Sequence, residues 1–180
     1  MKLHFYVTEQ STLFIVNKLI NEQNDFENLH MQLLETQTQQ ILSSFQKATE
    51  KQLISTEDKT LPVKALYHAP FCVLSHNTDD DPIFNYGNQC AQQLFEMNWD
   101  TLTSLPSRLS AESITQQERD HLLAQVKRHG FIDDYQGVRI AASGQRFMIE
   151  RATVWNIYDE EEQYRGQAAA LYQWSILESR

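Results

Sequence analysis

With 180 residues, 41% of them hydrophobic and 11% aromatic, the chain has room for one domain of ordinary size with a real core plus an extension, and it is globular rather than disordered in composition. A net charge of −9, from 15 Lys and Arg against 24 Asp and Glu, argues against nucleic acid as a direct partner, because neutralising phosphates needs the opposite balance. No run approaches the roughly 20 apolar residues that cross a bilayer, and Met1 to Ile20 is broken by Thr8, Glu9, Gln10 and Ser11, unlike a signal peptide, so a cytoplasmic location is expected.

Along the chain, Leu13, Phe14, Ile15, Val16, Leu19 and Ile20 form an apolar patch suited to a short helix. Between Leu29 and Ile54, the residues Leu29, Leu33, Leu34, Ile41, Leu42, Phe45, Ala48 and Leu53 stand among Gln and Thr at helical spacing, which predicts an amphipathic helix with one buried face. The stretch from Ser55 to Pro62 is polar and reads as a connector, so the expected organisation is a helical extension over residues 1–60 and a domain over 61–180. Two apolar runs, Phe71 to Leu74 and Ile83 to Tyr86, flank the turn residues Asp79, Asp80, Asp81 and Pro82, predicting a hairpin. Asn88 then caps a short helix carrying Cys90, Ala91, Leu94 and Phe95 on one face.

Trp99, Leu102, Leu105 and Leu109, interrupted by Pro106, predict short helical turns. A regular helix is expected from Glu112 to His129, stopped by Gly130. Thereafter the period becomes two, in three runs: Phe131 to Ile140, Arg146 to Tyr158 and Tyr164 to Leu177, with turns at Ala142 to Gly144 and Asp159 to Glu162. The sum is an α+β fold: a five-stranded antiparallel sheet with helices packed on one face, preceded by the helical extension.

Several words of this sequence, APFCVLSH, DPIFNYGN, LFEMNW, LPSRLSAE, GFIDDYQGVRI and ATVWNIYD, closely resemble the MEKHLA domain, a PAS-related family. The resemblance runs from about Leu29 to Leu177 and is densest from Ala69 to Trp174. It departs from the family in lacking the hexapeptide that names it and in having Asn77 where a glycine is expected. The family occurs at the end of plant homeodomain leucine-zipper transcription factors and as free-standing proteins, and the chain resembles the free-standing kind. The resemblance implies a PAS-like sensory or regulatory module whose cavity, between sheet and helices, takes an unidentified small molecule or a partner protein. With no kinase, cyclase or DNA-binding segment to receive a signal, a separate output protein is expected, and the exposed half of the N-terminal helix suits homodimerisation. A filled-core interaction module and a small α+β enzyme with a cone-like pocket are the alternatives.

Candidate pocket residues are polar or aromatic groups in apolar surroundings, since a buried polar group must find a partner. Arg108, in the family-like word PSRLSAE, lies where PAS relatives place ligand contacts. Asn85, Arg139 and Trp155 are the others; an arginine facing a cavity can grip a carboxylate at two points, and against that stand Arg139 and Arg151 pointing to solvent and pairing with Glu150 or Asp134. The face each strand residue takes depends on register: Phe147 and Ile149 alternate, yet Val154 and Trp155 are adjacent.

Cys72 and Cys90 are the only thiols, show neither metal-site spacing nor a paired motif, and read as small core residues. Light-sensing flavin relatives form an adduct from a cysteine that follows an asparagine, as Cys90 follows Asn88. Here, though, the cysteine belongs to the helix directly after the second strand, whereas the flavin-reactive one belongs to a later helix. Flavin photochemistry is therefore set aside and the cofactor left open. His76 with Asp79, Asp80 and Asp81 lacks the ligand order of a calcium loop and reads as a solvated turn. No nucleophile elbow, phosphate-binding glycine loop or dinucleotide fingerprint occurs, so no enzymatic activity is expected.

Overall fold

Alternation of apolar residues builds the second half of the chain into three long strands. In the computed structural model, which describes residues 30–55, 61–112, 125–126 and 130–178, β3 (Phe131–Ile140), β4 (Arg146–Tyr158) and β5 (Tyr164–Ile176) follow one another as hairpins. β1 (Cys72–His76) and β2 (Phe84–Gly87) form the earlier hairpin, and β1 pairs with β5. The five strands make one antiparallel sheet in the order β2-β1-β5-β4-β3, so the first hairpin folds back to join the last strand. These bounds agree with the expected strands to within one or two residues.

Each face of the sheet carries its own apolar cluster. On the inner face, Cys72, Leu74, Phe84, Phe147, Ile149, Ala152 and Leu171 pack against Ala91, Phe95 and Leu102 from α3 (Gln89–Phe95) and α4 (Trp99–Leu102). On the outer face, Val73, Tyr86, Trp155, Ile157, Ala168 and Ala170 pack against Ile41 and Phe45 of helix α1 (residues 30–49) and Leu66 of α2 (Pro62–Tyr67). The expected helices thus line one face and the extension helix lies on the other. The chain from Thr38 onward forms one compact unit that contains all of these contacts; the preceding unit is Met1–Gln37.

Helix α1 docks through Ile41, Phe45 and Ala48, spaced by four and three residues. The Phe45 ring meets Trp155 edge-on at 4.9 Å, and Ser44 answers both backbone groups of Tyr158: its hydroxyl accepts from the amide at 2.9 Å and donates to the carbonyl at 3.3 Å. The helix ends at residue 49, one turn earlier than its apolar pattern suggested. Glu50 takes a left-handed conformation (φ 60°), its amide still reaching the Gln46 carbonyl, and Leu53 and Ile54 pack against the outer cluster from beyond the helix. Helix α2 was not anticipated. It is six residues long, begins with Pro62 at its first position and buries only Leu66, so it has too short a period to register in the sequence.

Of the expected helix from Glu112 to His129, Glu112 is described and is not helical, and residues 125–126 are described and are helical; residues 113–124 and 127–129, and the apolar patch from Leu13 to Ile20, lie outside the described residues. Gly130 is the expected stop: its φ is 78° and its amide donates to the Val126 carbonyl at 2.8 Å.

The centre of the sheet is β5, with Ala168 and Ala170 facing outward and Ala169 inward. Trp155 pairs in register with Ala168, so the largest outer-face side chain stands beside one of the smallest. At the β4–β5 turn, the Asp159 carboxylate accepts from the Gln163 and Glu161 amides at 2.8 and 3.0 Å and pairs with Arg165. Those bonds, the one from Gln163 first, hold its pKa below the usual aspartate value.

Asn88 ties the helices to the sheet. Its side-chain oxygen accepts from the Ala91 amide at 3.1 Å, capping α3, and from the Val73 amide of β1 at 2.9 Å. Its amide nitrogen donates to the carbonyls of Phe71 (2.8 Å) and Leu66 (3.3 Å). The side chain is fully buried, so Asn88→Ala removes a cap and strands buried backbone groups together. We expect it to cost about 2–4 kcal/mol, combining a cap of about 1 with about 1–3 for an orphaned amide, measured by urea denaturation.

Candidate functional site

On the inner face the sheet packs against α3 and α4, and the described residues there are mostly apolar. Phe95 stands edge-on to Phe147 at 5.2 Å and meets Phe84 at 6.4 Å. Leu94, Met97 and Leu105 fill in from the helical side, and Ala169 and Trp174 from the sheet. The Ala142 amide donates to the Phe95 carbonyl and the Ser143 amide to the Glu96 carboxylate at 3.1 Å, fixing the end of α3 to the β3–β4 turn.

Two polar groups of this face, Arg139 and Tyr135, sit on β3. Arg139 pairs in register with inner-face Phe147, and Tyr135 with Ala152. Arg139 Nη2 donates to the Tyr135 hydroxyl at 2.7 Å, and its guanidinium carbon lies 5.4 Å from the ring centre. The Tyr135 hydroxyl lies over Gly137, where an added Cβ would come within 2.7 Å of it. Nη1 donates to the Val138 carbonyl at 3.1 Å. Arg139 is half-buried, close to apolar walls, and carries a charge that a carboxylate would complement.

The other sequence candidates lie elsewhere. Arg108 is in the 3₁₀ turn Ser107–Ser110, its side chain 64% exposed, pairing through Nε with Asp81 at 2.9 Å. Asn85 is at the irregularity in the β1–β2 pairing and accepts from the Ser75 hydroxyl at 2.6 Å. Trp155 is fully buried on the outer face, where its Nε1 donates to the Ile41 carbonyl at 3.3 Å. The four therefore do not converge: Arg139 is on the inner face, Trp155 beneath α1, Asn85 at the sheet edge and Arg108 on the surface. Arg151 is exposed, 6.0 Å from the Tyr172 ring.

Two features escaped sequence reasoning. Tyr86 is 1% exposed with no hydrogen-bond partner for its hydroxyl among the described residues, and burial, with Tyr67 nearby, pushes its pKa up. The Cys72 and Cys90 sulfurs lie 2.9 Å apart, both as free thiols. Burial, then the hydrogen bond to Cys90, pushes the Cys72 thiol well above its ordinary range. A strand position on the inner face and the second residue of the helix that crosses it could have signalled that meeting; their spacing in sequence could not. Among the described residues no cluster of His, Cys, Asp and Glu could hold a metal ion, and no helix is long and apolar enough to cross a membrane.

The chain resembles known proteins in both sequence and fold. Residues 35–176 match the family model described as the MEKHLA domain. Over 106 residues it is 26% identical to the homeobox-leucine zipper protein ATHB-9 of Arabidopsis thaliana; the match takes in 57% of this chain but only 12% of that protein's length. Among solved structures, an RNA-binding light-oxygen-voltage receptor superposes with a TM-score of 0.53 at 15% identity, covering 68% of this chain and 36% of that one. The light-state dimer of the fungal blue-light photoreceptor Vivid gives 0.51 at 11% identity, covering 74% and 91%. A PAS domain from Colwellia psychrerythraea gives 0.49 at 14%, covering 61% and 91%. The strand order, the two-faced sheet and a family model reaching from the middle of α1 to the end of β5 lead to one conclusion: the chain belongs to the MEKHLA domain family and has a PAS-like fold.

Proposed function

We propose that this chain is a sensory or regulatory module in which a small molecule on the inner face of the sheet changes how helix α1 is held on the outer face. The observation that carries the reading is the shared sheet: Leu171 and Ala169 of β5 belong to the inner cluster, while Ala168 and Ala170, between and beside them, belong to the cluster that receives Ile41 and Phe45. A shift of β4 or β5 made by an inner-face guest moves both layers, and a guest that favours one arrangement shifts the population toward it. Arg139, with the Tyr135 hydroxyl, is the proposed cationic handle, which favours a ligand bearing a carboxylate. Output through a separate protein, homodimerisation along α1 and operation in the cytoplasm belong to the same proposal.

The filling of the inner face by Phe84, Phe95 and Phe147 favours a second reading, in which the module recognises only a protein partner. Thermal denaturation of the purified chain against a panel of small carboxylates, with amide exchange followed over residues 38–49, separates the two. A ligand at a hundred times its Kd adds about 2.7 kcal/mol of stability. Under the proposal it also changes α1 protection, and Arg139→Ala abolishes both effects without altering the unliganded Tm. Ligand stabilisation with unchanged protection over 38–49 sinks the coupling; no stabilisation by any compound favours the partner-only reading.

A further inference from the structure

We propose that Cys72 and Cys90 form a peroxide-responsive dithiol, closing a disulfide that locks the start of helix α3 to strand β1. This goes beyond the ligand reading and stands whether or not the inner face takes a guest.

The two thiols come from opposite layers of the inner cluster: Cys72 opens β1, and Cys90 is the second residue of α3. Their sulfurs are hydrogen-bonded at 2.9 Å, within about 1 Å of bonding separation. Asn88 holds the surrounding backbone through its bonds to Val73, Ala91 and Phe71, the residues adjoining the two cysteines. The sulfurs therefore meet as a consequence of the cap and not of freely rotating side chains.

The pair is also asymmetric. Cys72 is fully buried, whereas Cys90 is only partly buried at the edge of the cluster. The elevated pKa of Cys72 keeps it protonated, so it does not attack an oxidant first. The order follows. Cys90 thiolate attacks the outer oxygen of a hydroperoxide, the O–O bond breaks, alkoxide or hydroxide leaves and takes up a proton, and Cys90 becomes a sulfenic acid. The Cys72 sulfur then attacks the Cys90 sulfur; the S–O bond breaks and the departing hydroxide takes the Cys72 proton as water. In sum, two thiols and one hydroperoxide give one disulfide, one alcohol (or water) and one water.

The bond would bridge residues 18 apart and draw α3, the wall that carries Phe95, against β1. The oxidation state of the pair thereby sets the spacing of the inner face independently of anything bound there.

The test uses the full chain, reduced, freed of reductant and exposed to hydrogen peroxide, then alkylated after unfolding. The expected result is loss of both alkylatable thiols, loss of two hydrogens in intact mass, and a monomer on non-reducing gels. Lys64 and Arg108 leave both cysteines on one tryptic peptide, so cleavage at Asp79, Asp80 and Asp81 is the step that reveals the Cys72–Cys90 cross-link. Cys72→Ala should accumulate a dimedone-reactive sulfenic acid at Cys90, which wild type passes through without accumulating. In Cys90→Ser, Cys72 should stay reduced at the same peroxide dose. Thiols that remain alkylatable, over-oxidation of Cys90 without a cross-link, or only intermolecular disulfides would each overturn the proposal. So would sulfenic acid appearing first at Cys72 in folded Cys90→Ser protein, with circular dichroism confirming the fold of each variant.

Discussion

Trp155→Ala is expected to destabilise the protein by about 3–5 kcal/mol, a large share of the roughly 5–15 kcal/mol that holds a domain together. The indole is fully buried, packs edge-on against Phe45 and donates to the Ile41 carbonyl, so its removal leaves a void between sheet and α1 and takes away the bond that fixes the helix's height. Trp155→Phe separates these contributions. It keeps most of the apolar contact and loses the hydrogen bond, costing about 1 kcal/mol, with the loss seen first as faster amide exchange over residues 38–49. Urea denaturation of the two variants measures the difference; equal losses would mean that the helix is held by the hydrogen bond and not by packing.

Gly166→Ala should have a comparable effect for a different reason. Gly166 sits at φ 128°, a backbone conformation that side chains rarely adopt, where β5 passes the end of β1. A Cβ there would collide with the carbonyl oxygen of His76, with its carbonyl carbon 3.0 Å away and Asn77 Cα at 3.3 Å, all backbone atoms that cannot rotate aside. Strain of about 1–3 kcal/mol and overpacking of similar size combine to about 2–6 kcal/mol. Because β1–β5 is the joint between the first and last hairpins, the variant should also refold more slowly than wild type, which stopped-flow measurement would show. A Tm within a degree or two of wild type would mean that β1 can slide past β5 without loss.

Much of this architecture is legible in the residues. The period-two runs become β3, β4 and β5, the turn residues separate them, and Asn88 and Gly130 cap and stop helices as their chemistry predicts. The faces were not legible, and the reason is specific. On β4, Phe147 and Ile149 point inward, but so do Ala152 and Val154, while Trp155 and Ile157 point outward. A register irregularity between Ile149 and Ala152 switches odd positions from one face to the other, and another between Ile132 and Tyr135 does the same on β3. Alternation alone assigns Trp155 to the wrong partner set whenever such an extra residue goes unseen. The meeting of Cys72 with Cys90 was hidden for a related reason: it needs the strand's face and the helix's rotation together, and no local pattern carries both.

The three consecutive alanines of the middle strand have a mechanical consequence. Ala168 and Ala170 offer only methyl groups to the helix layer, and Ala169 only a methyl group to the interior. At that spot the two compartments are separated by little more than a single polypeptide backbone. Under the proposed coupling, a bulky group pressed against Ala169 would meet no deformable side chain to absorb the push, and the displacement would pass to the helix seat.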